Sequence, residues 1–302
     1  MNFNQLFDTA YEKLKTNEVI PAFRLLGKPL SEIYQAHESN GTAEIVIAAA
    51  RAHPLFALTQ EDPYTHRANT KPRGYAGDAV MMDYIYEGVA DKPMSTLGTR
   101  IFQATTRVSM GLSVVYRKAL LSAYINDTAA LADPFRILSI ASGHCRELKD
   151  TLALDGAFNG EFIALDADEL SCAEIKASYP AEKVKTIHAN VKHLLVGKDG
   201  LQGQFNLIYS AGLFDYLAPA VASKLVSTLL SKLSPGGRLL VANFLPQSFG
   251  RGYMECFMDW RLIYRTEQEL IDLFPEELRP QISITVDPHG NVAYARYDKP
   301  NN

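Results

Sequence analysis

The chain lacks the features that would commit it to a membrane, a nucleic acid or a disulfide framework. No apolar run approaches the roughly 20 residues a spanning helix needs, and residues 1–8 offer neither a basic n-region nor an apolar h-region. Secretion and membrane insertion are therefore not expected. Cysteine is scarce: Cys145, Cys172 and Cys256 are the only three, far apart, odd in number and without metal-site spacing. No metal is expected, and a reducing cytoplasm is the expected location. Thirty basic side chains against 34 acidic ones leave a net charge of −4 with no basic stripe, so nucleic acid is not an expected partner. With 47% hydrophobic and 21% charged residues in 302, the composition is that of a globular chain with one large domain and an extension.

The informative stretch is residues 136–147. An apolar run (Ile137, Leu138, Ile140) breaks at Ala141-Ser142-Gly143, and a helix-compatible segment from Glu147 to Leu154 follows. This predicts a buried parallel strand, a tight turn of small residues and a helix. Such a turn lets backbone N–H groups and a helix N-terminus approach a ligand. Asp166 ends the next apolar strand, 23 positions after Gly143, where a carboxylate can accept both hydroxyls of a ribose. The pattern points to a nucleoside-containing ligand.

Before residue 135 no strand pattern occurs, and the spacing predicts helices at 3–15, 18–38, 43–52, 77–87 and 94–125. Residues 53–76, punctuated by Pro54, Pro63, Pro72 and Gly74, read as a long polar loop of the kind that serves as a lid. In Lys71-Pro-Arg-Gly-Tyr-Ala-Gly-Asp78, Asp78 is placed to cap a helix. Arg73 and Tyr75 are either surface residues or a carboxylate clamp and a closing ring. After residue 135 strands and helices alternate, which implies a parallel sheet covered on both faces. The ending differs: strands at 281–286 and 292–297 have a connection so short that only an antiparallel hairpin fits.

A dinucleotide fold would carry Gly-x-Gly-x-x-Gly, but Arg146 stands at its third glycine. One glycine-centred loop with a parallel sheet closed by an antiparallel hairpin resembles the class I S-adenosylmethionine-dependent methyltransferases. Residues 71–78, 139–147 and 252–264 together resemble a bacterial branch of that superfamily, one that includes synthases of 3-hydroxypalmitate methyl ester. The resemblance implies an α/β fold: a Rossmann-like methyltransferase sheet with an antiparallel C-terminal hairpin (131–302) plus an N-terminal all-α cap (1–130). It also implies S-adenosylmethionine as cofactor, a small-molecule substrate, secondary metabolism or signalling, and leaves a homodimer open. Arg73, Ser139, Ala141, Gly143, Asp166, Ala167, Asn190, Val191 and Ser210 are the implied cofactor-binding positions. Ser139 replaces the usual first-strand acid, so another group must hold the methionine ammonium. Asn190 replaces a frequent aspartate but retains an acceptor for the adenine amino group.

A sulfonium donor needs aromatic or oxygen neighbours and an acceptor in line. Tyr75, His144, Tyr209, Asp215 and Tyr216 are the candidates for the chemistry. His144 would orient substrate, act as base, or simply bond backbone; Asp215 would hold the ammonium, act as base, or cap a turn. Glu147 suits the dipole of the expected helix. Residues 251–265 read as a helix whose Tyr253, Glu255, Asp259 and Trp260 are candidate walls of a substrate pocket. Two reactions fit: methyl transfer to a carboxylate or another oxygen or nitrogen acceptor, and cyclisation of the donor itself to azetidine-2-carboxylate and methylthioadenosine.

Overall fold

The computed structural model describes residues 2–149 and 151–301. In chain order its helices are α1 Phe3–Lys15, α2 Val19–Leu26, α3 Lys28–Ser39, α4 Ala43–Ala52, α5 Pro54–Thr59, α6 Pro63–Thr70, α7 Ala79–Glu87, α8 Thr96–Thr106 and α9 Ser109–Leu131. Then come β1 Phe135–Ile140, β2 Gly160–Asp166, α10 Glu169–Ser178, β3 Val184–His188, α11 Val191–Leu195, β4 Phe205–Ser210, α12 Pro219–Ser231 and β5 Leu233–Phe244. The last elements are α13 Arg251–Phe257, α14 Glu267–Ile271, β6 Ser283–Val286 and β7 Val292–Asp298. Two compact units result, one of residues 1–115 and 247–261, the other of residues 116–246 and 262–302.

The first unit is all helix. Leu6, Phe7, Ala10 and Leu14 are the buried stripe of α1, as the periodicity predicts. The expected helix over 18–38 is two helices, because Gly27 takes a non-helical ψ of −113° and Pro29 restarts the chain at the first turn of α3. The expected loop over 53–76 holds α5 and α6. Pro54 and Pro63 are not loop punctuation but first-turn residues, each behind a cap: His53 accepts from the Leu55 N–H, and Asp62 from the Tyr64 and Thr65 N–H groups, whereas Pro72 does lie in the turn between α6 and α7. Asp78 caps α7 as expected and pairs with Arg67. The expected helix over 94–125 breaks between α8 and α9, where the Thr106 carbonyl lies 2.3 Å from the place a Gly111 Cβ would occupy.

Residues 251–265 do not form one helix. α13 ends at Phe257, and Asp259 adopts a left-handed φ of 47° with its carboxylate on Arg51 and Lys71. Tyr253 bonds Thr65, Glu255 accepts from Tyr34 at 2.8 Å, and Trp260 meets the Tyr64 ring edge-on. All four expected pocket-wall residues are thus engaged inside this unit. Here α13 crosses α3 at Gly252, whose absent Cβ would stand 2.7 Å from the backbone of Leu30 and Ser31.

The second unit is built on a seven-stranded sheet of order β3-β2-β1-β4-β5-β7-β6. Pairs among β1 to β5 are parallel, and β7 runs antiparallel to both β5 and β6. This is a Rossmann-like sheet with the antiparallel C-terminal hairpin that the short last connection predicts. The strand core (Ile137, Leu138, Phe162, Leu207, Ile208, Leu239) is fully buried. One expectation fails here: β1 is not followed by a helix. Two 3₁₀ turns, Arg146–Leu148 and Leu152–Leu154, replace it, so among the described residues the loop leads into no α-helix before β2.

Gly252→Ala is expected to cost about 1–3 kcal/mol, since the methyl must force two packed backbones apart. Chemical unfolding reads this directly, and an unchanged midpoint would contradict the crossing.

Candidate functional site

The strand order reverses about β1, with β2 and β3 on one side and β4 and β5 on the other. Ligands in open parallel sheets bind beyond the C-terminal ends of the strands at such a reversal. Those ends are Ile140, Asp166, Ser210 and Phe244. The Ser210 hydroxyl donates to the Ile140 carbonyl at 3.2 Å, just where β1 and β4 part.

The turn after β1 carries left-handed φ angles at three alternate residues: Ala141 (53°), Gly143 (55°) and Cys145 (52°). Only glycine adopts this region freely, so two strained side-chain-bearing residues hold the turn. Their hold comes from β2. Ser142 N–H donates to the Leu165 carbonyl at 3.2 Å, and Gly143 N–H to Asp166 Oδ2 at 2.7 Å. Asp166 Oδ1 accepts from its neighbour Asp168 N–H at 2.8 Å, and the Asp166 carbonyl accepts from Ala189 N–H at 2.9 Å. Burial pushes the Asp166 carboxyl up, while these backbone donors oppose the shift. A carboxylate offers about four lone-pair positions, more than these backbone donors fill, so acceptor capacity remains for a ligand.

Asn190 is exposed and caps α11: its Oδ1 accepts from His193 N–H at 3.2 Å, and His193 Nδ1 accepts from Asn190 N–H at 3.2 Å. The Asn-x-x-His spacing was a readable capping signal. Ala167 is exposed and Val191 half-buried beside it.

The rest of the rim is pinned from beneath. Arg117 on α9 donates to the Ala211 carbonyl, and buried Arg265 donates to the Phe214 carbonyl at 2.7 Å and to Asn243 Oδ1 at 2.6 Å. Asp215 Oδ1 accepts from Phe244 N–H at 2.7 Å. Tyr209 is fully buried and donates to Glu147 Oε1 at 2.6 Å; burial and the adjacent carboxylate push its phenol far above the ordinary value. His144 is buried with Nδ1 3.5 Å from Arg146, which pairs with Glu174 at 2.8 Å. Burial also pushes the Cys145 thiol up, which removes it as a nucleophile.

The second unit therefore gathers Ser139, Ala141, Gly143, His144, Asp166, Ala167, Asn190, Val191, Tyr209, Ser210, Asp215 and Tyr216 at one edge of its sheet. Of these, Ser139, His144, Tyr209, Ser210 and Asp215 are buried, whereas Ala141, Ala167, Asn190 and Tyr216 reach the surface. Arg73 and Tyr75 belong to the first unit, in the turn ahead of α7. Sequence reading passed over Arg117, Arg265 and the Glu147–Tyr209 pair.

No protein-family model matches the chain, and no curated protein matches it. Solved structures share its fold. A protein from Bordetella parapertussis described as a possible exported protein matches at 14% identity, covering 74% of this chain and 79% of that one, with a TM-score of 0.59. A DUF574 family protein from Streptomyces avermitilis matches at 15% identity, covering 74% and 97%, with a TM-score of 0.53. A magnesium protoporphyrin IX methyltransferase from Synechocystis, with bound SAH, matches at 12% identity, covering 73% and 98%, with a TM-score of 0.47. At these identities the likeness is one of fold. No helix among the described residues is long and apolar enough to cross a membrane.

Asp215 generates a pH prediction. Its carboxyl is pushed up to about 6 from an ordinary 3.8, chiefly by burial. The folded chain thus holds this proton more tightly than the unfolded one. That contribution to stability is complete below the unfolded value and is lost as pH rises to about 6. Asp215→Asn keeps an acceptor for Phe244 N–H and should recover roughly 1–3 kcal/mol of the stability lost between pH about 4 and about 6. Denaturant unfolding at the two pH values checks it; parallel curves for variant and parent would contradict it.

Proposed function

We propose that the chain is an S-adenosylmethionine-dependent methyltransferase acting on a small molecule. The observation that carries the reading is the bond from Gly143 N–H to the buried Asp166 carboxylate at the reversal point of this sheet. It sets a small-residue turn and a ribose-competent acid side by side at the one edge where such folds bind ligands. When bound, S-adenosylmethionine supplies an electrophilic methyl on a positively charged sulfur.

In this reading the Asp166 carboxylate accepts from the ribose through its remaining acceptor capacity. Ala141 and Gly143 leave room for the ligand backbone, and Ala167, Asn190 and Val191 border the adenine. Ser139 and Ser210 line the ends of β1 and β4, and exposed Tyr216 offers an aromatic face to a cation. Arg73 and Tyr75 stay in the proposal on their sequence context alone, with His144 as an orienting group.

A carboxylate acceptor is favoured by the state of the ionisable groups. Asp166 and Asp215 accept from backbone N–H groups, and Tyr209 is committed to Glu147. Methyl transfer to a carboxylate needs no general base, whereas transfer to a hydroxyl or amine does. The likeness of residues 71–78, 139–147 and 252–264 to the fatty-acyl methyl ester synthase branch supports the same acceptor class and a signalling role.

Incubating the protein with methyl-labelled S-adenosylmethionine and a panel of carboxylic acids, phenols and amines should transfer label and release S-adenosylhomocysteine. Asp166→Asn should lower kcat/KM by roughly 10- to 100-fold, the worth of charge-assisted hydrogen bonds. No transfer to any acceptor, or methylthioadenosine formed from donor alone, would overturn the proposal.

A further inference from the structure

Three buried carboxyl groups stand at the ligand edge of the sheet, and two of them are held by backbone N–H groups of other residues. Asp166 is met by two backbone N–H groups, and Asp215 by Phe244 N–H within the field of Arg117 and Arg265. Glu147 differs. Its Oε1 accepts from the neutral Tyr209 hydroxyl and its carboxylate takes the residue's own backbone N–H, and among the described residues it is in none of the ion pairs. Arg117 and Lys118 reach it only as a field. A carboxylate held away from water without a cation is costly, and a cationic group placed against it recovers much of that cost.

Its position is fixed. Glu147 lies two residues past the left-handed turn, and the Ser122 hydroxyl on α9 holds its backbone carbonyl. Its partner Tyr209 is the register neighbour of Ser139, so the carboxyl hangs beside the end of β1. Glu147 is buried, with only 7% of the residue's surface exposed, so its charge is largely removed from water.

We infer that Glu147 receives the ammonium of the amino-acid tail of the donor, with Tyr209 as the positioning residue that aims the carboxylate. The inference rests on the proposed function and assigns the anchor that Ser139 cannot provide.

Calorimetric titration of the full chain with S-adenosylhomocysteine and with methylthioadenosine, which lacks the amino-acid tail, tests it. The parent should bind the first at least about tenfold more tightly. Glu147→Gln should lower that ratio by about tenfold or more while leaving methylthioadenosine affinity unchanged, an outcome a merely structural role would not give. Should that variant not fold, Glu147→Asp keeps the charge one methylene back and should lower the ratio severalfold. An unchanged ratio in the folded variant overturns the inference and leaves the proposed function standing. Failure of the parent to bind either ligand overturns both.

Discussion

One constraint organises the second unit: at the end of β1 the chain must turn through three left-handed residues while staying thin enough for a ligand to approach. Glycine meets that demand freely at position 143 only. Ala141 and Cys145 meet it because β2 holds the turn, through the Leu165 carbonyl and the Asp166 carboxylate. Strain of about 1–3 kcal/mol per such residue persists only where the surroundings over-determine the conformation. The acid that would read a ribose is therefore also the acid that shapes the turn. Loss of its charge has two effects, one on the loop and one on the ligand.

Beneath this turn the structure spends polar groups to fix the ends of β4 and β5. Arg265 gathers the Phe214 and Leu217 carbonyls and Asn243, and Asp215 takes the Phe244 N–H and gives its own carbonyl to Ile263 N–H. These bonds replace the ladder that would otherwise continue the strands. Rim residues 211–217 consequently have a defined course with only Tyr216 fully turned to the surface. Burial of so many titratable groups is what raises the carboxyls of Asp215, Asp166 and Glu147 together.

Much of this was legible in the chain itself. Long periodic segments such as α1 and α10 fall where apolar spacing puts them, and the close of the sheet follows from a connection too short to cross over. The misreadings have two physical origins, the positional meaning of proline and pairings of side chains distant in sequence. Pro54 and Pro63 looked like breakers, yet each sits behind a capping residue and opens a helix. Residues 147–154 had the composition of a helix, but Glu147 is drawn inward to Tyr209 and the segment stays in 3₁₀ turns. Asp259 ends α13 early because two cations from distant helices reach its carboxylate. No local pattern announces such pairings, since their partners lie 62 to 208 residues away in sequence. The same reasoning covers the site: the small-residue turn and Asp166 were readable, whereas Arg117, Arg265 and Glu147 acquire meaning only from the fold.

The central claim is that the edge above Gly143 accepts an adenosyl group carrying a methionine-type sulfur. Isothermal titration of the full chain with S-adenosylhomocysteine, a nicotinamide dinucleotide and a flavin nucleotide tests it most directly. Saturable binding of S-adenosylhomocysteine, one per chain, with far weaker heats from the other two is the predicted result. Tight binding of a nicotinamide or flavin nucleotide beside indifference to S-adenosylhomocysteine would contradict it.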